Sequence, residues 1–265
     1  MCPPTYFLSI DYEINPWMKK GTDCNNNTAV ERWNELVGII KNLGAEVHTM
    51  EPQKGQPDIV FTANAALIYK NTAVLSKFRP PERQPEEKFY ADWLADKGFN
   101  VEILPDGMSF EGAGDALFSG DTLYSGYIPR SDISAHTYIS SLLKIRVISL
   151  ELADPRFYHL DTCFCPLSDG HLLYYPQAFD KYANIIIEKE FPEEKRIAVT
   201  EEEARGFACN AVNIGKSVIF NKTTDRLKNA LKEKGFNSYE VDLAEFMKAG
   251  GSAKCLTLKL NEFEN

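Results

Sequence analysis

The sequence predicts an α/β fold in which five ββαβ modules close into a five-fold pseudo-symmetric α/β propeller, in one domain covering residues 1–265. Three observations lead there. A segment of one plan recurs: a small or polar motif, a short strand, a turn and another strand. It reads FTANAALIYKNTAVLS, FEGAGDALFSGDTLYSGY, YHLDTCFCPLSDGHLLYYP, FACNAVNIGKSVIFN and, truncated, GGSAKCLTLKL. Matching positions, Asn64, Glu111, His159, Cys209 and Cys255, stand 47, 48, 50 and 46 residues apart. Between the copies lies helix-type apolar spacing followed by a further strand. Units of this kind cannot bury their apolar faces alone and must pack on one another.

Taken in order, the chain opens with a strand-like YFLSIDYEI that has no local partner. Residues 30–43 then set Trp33, Leu36, Val37, Ile40 and Leu43 on one helical stripe. Helical patterns follow each complete copy, in EEKFYADWLADK, DISAHTYISSLLK, DKYANIIIEKEF and TTDRLKNALKEK. Three of the five helices stop at a glycine and continue as the strands LGAEVHTM, KGFNVEIL and KGFNSYEV, because glycine relieves the left-handed position past a helix end. The other two run into IRVISLEL and EKRIAVT. Inside the copies, Lys70-Asn71-Thr72, Ser119-Gly120-Asp121, Ser168-Asp169-Gly170 and Gly215-Lys216-Ser217 carry hairpin chemistry. The last copy ends after one strand near Leu260, so pairing it with the opening strand closes the ring. Helices then lie outside and the motif ends point towards the axis.

Composition bounds the function. There are 29 basic and 38 acidic side chains, a net charge of −9 and a pI near 5.1. Net acidity without a basic stripe argues against nucleic acid and suits a cationic small molecule. No apolar stretch reaches the roughly 18 residues that span a bilayer, and the first residues lack signal-peptide features, so no membrane partner and a cytoplasmic location are expected. The six cysteines, Cys2, Cys24, Cys163, Cys165, Cys209 and Cys255, show no disulfide spacing and are expected as reduced thiols. Cys163 and Cys165 have no second pair at zinc-site distance, so no metal is expected.

In a ring of pseudo-equivalent modules, matching positions meet at the axis. The set delivered is Asn15, Asn64, Glu111 with Asp115, His159 with Asp161, Cys209 with Asn210, and Cys255. A cysteine, a histidine and carboxylates in one channel suit nucleophilic catalysis. A nearby imidazolium promotes the thiolate, and a carboxylate such as Glu111 would orient His159. Asp161 could hold a cationic substrate. Cys255 and Cys209 both fit the nucleophile's place, and physics alone does not choose between them.

With these residues assembled, the chain resembles the guanidine-modifying, or amidinotransferase, superfamily, whose fold is a five-bladed, pentein-type α/β propeller. The likeness runs from residue 2 to about 260 and is strongest to bacterial arginine dihydrolases, through INPWM (residues 14–18), PDIVFTANAAL, FEGAGDALF, FYHLDTCFCPL, FACNAVN and AGGSAKCLTL. In cyanobacteria such a module is similar to the N-terminal part of a larger protein. Nothing follows Asn265 here, so activity of an attached second domain is not expected. The resemblance implies that Cys255 is the nucleophile, that His159 protonates departing ammonia and then activates water, and that Glu111 partners His159. It implies that Asp161 binds the guanidinium and that Asn15, Arg83 and Arg130 contact substrate. Asp115 and Ala249 are counted with the substrate-binding residues. No cofactor is implied.

Asn64 stands where citrulline-forming deiminases carry an aspartate. An aspartate is acceptor-only, whereas an asparagine offers a donor and an acceptor and could hold both cationic arginine and neutral citrulline. The expected reaction is therefore hydrolysis of free L-arginine in two rounds, through citrulline, to ornithine, carbon dioxide and two ammonia. Backbone amides at residues 250–253 are candidate donors to the tetrahedral species by position. The rival readings are a one-round arginine deiminase or dimethylarginine dimethylaminohydrolase, an amidinotransferase, and a non-catalytic amino-acid-binding propeller. Self-association into a homo-oligomer is left open.

Overall fold

The computed structural model describes residues 1–261. Strand β1 (Ser9–Ile10) pairs antiparallel with β2 (Thr22–Asp23), and helix α1 (Asn26–Asn42) follows. Four modules come next, each an antiparallel hairpin, a helix, and a strand lying parallel to the hairpin's second strand. The first holds β3 (Ala66–Tyr69), β4 (Thr72–Leu75), α2 (Glu86–Asp96) and β5 (Asn100–Glu102). The second opens with a short helix α3 (Gly112–Asp115), then β6 (Ala116–Ser119), β7 (Thr122–Tyr127), α4 (Ile133–Leu143) and β8 (Arg146–Glu151). The third is β9 (Phe164–Leu167), β10 (His171–Tyr174), α5 (Lys181–Glu190) and β11 (Arg196–Ala198). Helix α6 (Glu201–Arg205) leads to the fourth, β12 (Val212–Ile214), β13 (Ser217–Phe220), α7 (Asp225–Glu233) and β14 (Asn237–Glu240), after which comes α8 (Ala244–Met247). The α/β class and the ββαβ order expected from the sequence are present, carried on five small sheets.

Local chemistry explains these elements. The β3–β4, β6–β7 and β12–β13 hairpins turn through two residues, the first with positive φ: Lys70 at 52°, Gly120 at 55° and Gly215 at 55°. That sign matches the twist of the strands. The expected helix-ending glycines, Gly44, Gly98 and Gly235, all lie in the left-handed region, at 91°, 86° and 82°. Lys144 takes the same conformation after α4 without being glycine. The Asn25 side chain accepts from the Thr28 N–H, which starts α1 at Asn26, earlier than its apolar stripe suggests. Helix α1 buries Ala29, Trp33, Leu36 and Ile40. Full burial of a side chain such as Leu36 stabilises by about 1.5–3 kcal/mol.

The fifth module departs from expectation. Residues 45–50 and 257–260 form no strand, and β1 pairs with β2 rather than with the C-terminal segment. Closure by pairing of the terminal strands is therefore corrected. The physical reason is that β1 already has a ladder partner in β2, while residues 45–50 and 257–260 contribute Val47, Met50, Leu258 and Leu260 to the lining of a groove of about 860 Å³. Met1 bonds to the first of them, its ammonium donating to the His48 carbonyl at 3.0 Å and its carbonyl accepting from the Met50 N–H at 3.1 Å, and Trp93 Nε1 donates to the Thr49 carbonyl at 3.3 Å. The C-terminal segment docks elsewhere. The Ala63 N–H donates to the Cys255 carbonyl, and Thr62 Oγ1 to the Leu256 carbonyl, both at 3.0 Å. One apolar cluster joins Trp33 and Leu36 of α1 to Phe246 and Leu256 beneath this contact, while another runs from Leu117 through Leu173 to Val218 and Leu231.

Candidate active site

Each module begins with a tight turn, and the five turns bond to one another in sequence. Asn64 Nδ2 donates to the Glu111 carbonyl at 3.0 Å, and the Leu160 N–H to Asp115 Oδ1 at 3.0 Å. Asn210 Nδ2 donates to the Asp161 carbonyl at 3.2 Å, and the Lys254 N–H to the Asn210 carbonyl at 3.2 Å. The bond from Ala63 to the Cys255 carbonyl joins the fifth turn to the first. The convergence expected from the spacing is thus built from hydrogen bonds between residues about one module apart.

Cys255 is buried, with Sγ 3.1 Å from Asn210 Nδ2 and 3.5 Å from Asp161 Oδ2. His159 Nε2 lies 2.6 Å from Glu111 Oε2, which also accepts from Arg130 Nη1 at 2.8 Å. Burial opposes ionisation of Glu111, yet Arg130 and His159 overcome it and hold the carboxyl down to about 2. Burial pushes His159 down to about 4, against the pull of Glu111. The neutral ring therefore donates from Nε2 to the carboxylate and keeps a lone pair on Nδ1, a buried atom with no hydrogen-bond partner. Burial raises Asp161 to about 6, and one of its oxygens, Oδ1, is likewise without a partner. Burial first, and Asp161 second, push the Cys255 thiol well above its ordinary range. Cys209 is buried in the large apolar cluster around Phe164 and Val218, away from these groups, so the geometry favours Cys255 of the two.

Asn64 is held at both ends. Its Oδ1 accepts from Arg83 Nη1 at 2.9 Å, and its Nδ2 meets the Glu111 carbonyl. Arg83 is itself fixed by Glu86 through Nε and Nη2 and lies 4.4 Å from the Phe78 ring centroid. Asn15 Nδ2 donates to the Ala249 carbonyl at 3.0 Å, and Asn15 Oδ1 accepts the N–H groups of Trp17 and Met18. Asn15, Asn64, Arg83, Arg130, Ala249 and Cys255 all line one small cavity of about 10 Å³. Residues 11–18 cover it: Tyr12 bonds Asp58, and the Ile14 carbonyl accepts from Arg130 Nη2. A cavity this size holds one water, so these residues must move for an amino acid to enter.

Asp115 is not where a substrate contact would be. Both its oxygens are taken, Oδ1 by the Leu160 N–H and Oδ2 by Ser131 Oγ at 2.6 Å, and it does not line the cavity. It ties two modules together. Three residues at the site escaped the sequence reading of roles. Asp58 lines the cavity with a buried carboxyl that burial raises, and its signal was an acid inside the apolar run PDIVF. Tyr158 donates to the Gly250 carbonyl at 2.8 Å and lies 4.9 Å beneath Arg130. Asn210 was in the converging set without a role.

The chain was compared with known proteins. The family model for eukaryotic N,N dimethylarginine dimethylhydrolase matches residues 8–262. The chain is 50% identical over 265 residues to the bifunctional arginine dihydrolase/ornithine cyclodeaminase AgrE of Nostoc, and 51% identical to ArgZ of Synechocystis, covering 99% of this chain and 37% of each relative. It thus spans little more than a third of those two proteins. It is 38% identical to the N(G),N(G)-dimethylarginine dimethylaminohydrolase of Mycobacterium tuberculosis, over 98% of this chain and 85% of that protein. The crystal structure of the substrate-bound N-terminal domain of ArgZ is 51% identical, with a TM-score of 0.95 over 98% of this chain and 96% of that one. A dimethylarginine dimethylaminohydrolase structure at 20% identity and a TM-score of 0.80 shares the fold. With turns, fold and sequence in agreement over nearly its whole length, the chain belongs to the dimethylarginine dimethylaminohydrolase family of guanidine-modifying enzymes.

Proposed function

We propose that this chain hydrolyses free L-arginine in two rounds at one site, giving ornithine, carbon dioxide and two ammonia. The observation that carries the reading is Asn64, an amide rather than a carboxylate, set between Arg83 and the Glu111 carbonyl beside Cys255. The half-identical relatives ArgZ and AgrE are described as bifunctional arginine dihydrolase/ornithine cyclodeaminases, and solved structures include the N-terminal domain of ArgZ bound to substrate and an AgrE mutant with L-arginine. In this reading Asp161 binds the guanidinium. The arriving cation offsets the carboxylate that holds the Cys255 thiol protonated, and the thiol yields its proton towards His159 Nδ1. The thiolate attacks the guanidinium carbon, His159 returns the proton to the departing nitrogen, and ammonia leaves a covalent thiouronium. Water, deprotonated by His159, displaces the sulfur and gives citrulline.

In the second round the thiolate attacks the ureido carbon and the terminal C–N bond breaks, releasing the second ammonia. Water then frees a carbamic acid, which loses carbon dioxide to leave ornithine. Glu111 and Arg130 keep His159 in its working tautomer, and Asn15, Arg83 and Ala249 shape the substrate pocket. We read the fold as the expected five-bladed propeller in a single domain. Its support is the cycle of bonds through the five turns. The test follows ornithine, citrulline and ammonia together from arginine, with Cys255→Ser as blank. Two ammonia per ornithine with transient citrulline is expected; one ammonia per citrulline and no ornithine overturns it. A second reading, single-round hydrolysis of methylated arginine, is favoured by the family match and the mycobacterial relative. Release of dimethylamine from dimethylarginine would identify it.

A further inference from the structure

Asn210 is wholly buried and sits on the fourth turn. A primary amide has two acceptor positions and two donors, and here protein groups take all four. Its Oδ1 accepts the backbone N–H groups of Ser252 and Cys255, both at 3.1 Å. Its Nδ2 donates to the Asp161 carbonyl at 3.2 Å and to Cys255 Sγ at 3.1 Å. Two backbone N–H groups can be met only by the oxygen end, so the amide cannot flip, and one N–H is aimed at sulfur. Towards a thiol that bond is weak. Towards a thiolate it is charge-assisted and roughly twice as strong as a neutral bond.

We propose that Asn210 is a catalytic group of this site, donating to the Cys255 thiolate while the same amide fixes the nucleophile's turn against Asp161. The proposal rests on Cys255 being the nucleophile and not on which guanidine compound it attacks. It also accounts for how sulfur carries negative charge in so buried a place: the charge forms beside a donor already in position, with no reorganisation at the moment of reaction.

Asn210→Asp tests it, because the carboxylate keeps the shape and the acceptor for both N–H groups but sets an oxygen against Sγ. The readout is alkylation of Cys255 by iodoacetamide between about pH 7 and pH 9, followed by mass of the Cys255 peptide, with the thermal midpoint as fold control. Alkylation is expected to slow about tenfold, one unit of thiol ionisation, with the midpoint within a few degrees. If the Asp variant does not fold, Asn210→Ala, which removes the donor, is expected to slow alkylation in the same sense. An alkylation profile that superimposes on the parent protein in either folded variant overturns the proposal. Alkylation needs no turnover, so a parent protein that ignores arginine while its Cys255 depends on Asn210 would sink the arginine reading alone.

Discussion

At position 64 one end of an amide rests on a guanidinium and the other on a carbonyl oxygen. A carboxylate cannot copy this. In Asn64→Asp the oxygen replacing Nδ2 would face the Glu111 carbonyl at about 3 Å, acceptor against acceptor. That variant is expected to lose ornithine formation by about tenfold or more while citrulline accumulates, a cost near the 1–3 kcal/mol of one unsatisfied buried polar group. Product chromatography decides it, and undiminished ornithine would sink the two-round reading. The residues that converge were legible in the sequence because they share a period. What a period cannot carry is side-chain direction: Asp115 is the last residue of α3, beside the Asn64 and His159 turns, yet its carboxyl points into the seam with Leu160 and Ser131.

Among elements, the short helix α3 matters out of proportion to its length. A Cβ added at Gly114 would stand 2.1 Å from Asn64 Nδ2 and 3.5 Å from His159 Nδ1. Gly114→Ala is therefore expected to cut turnover at least about tenfold by displacing the Asn64 amide, while His159 stays in ordinary contact, measured as kcat on arginine. The β3–β4 hairpin offers the opposite case. Lys70 holds a left-handed conformation that costs an ordinary residue roughly 1–2 kcal/mol, while glycine loses part of that gain to entropy. Lys70→Gly should raise the thermal midpoint by about 1–3 °C. Helix ends at Gly44, Gly98 and Gly235 were readable because the backbone there demands glycine's freedom. The segments at 45–50 and 257–260 were misread as strands because a strand exists only with a partner, and among the described residues neither segment takes part in a ladder.

Over the whole molecule, buried titrating groups set the response to acid. Glu111 falls from 4.5 to about 2 on folding, so its contribution is fully present above 4.5 and is lost as pH drops towards 2. That amounts to about 3 kcal/mol. His159, lowered from 6.5 to about 4, loses stability in the same direction between those values, as the unfolded ring takes up a proton first. Asp161 and Glu86, raised to about 6 and about 7, oppose it there, because acid relieves their buried charge. Stability is thus expected to change little from pH 7 to 4.5 and to fall steeply below. Glu111→Gln should flatten that lower limb in denaturant titrations at a series of pH values. The ββαβ order of the four complete modules was legible at this scale, whereas the way the first and fifth turns meet was not. That contact joins Ala63 to Cys255, across the four modules between them.

The same contact has a meaning in time. A ribosome delivers Asn64, Glu111 and His159 in order, and each can settle against the turn before it. Cys255 comes last of the four, and its turn is held by Asn210 and by residues 62 and 63. Synthesis therefore delivers Asn64, Glu111 and His159 before the sulfur of Cys255. If Cys255 is the nucleophile proposed above, hydrolysis starts only when the last turn docks on the first.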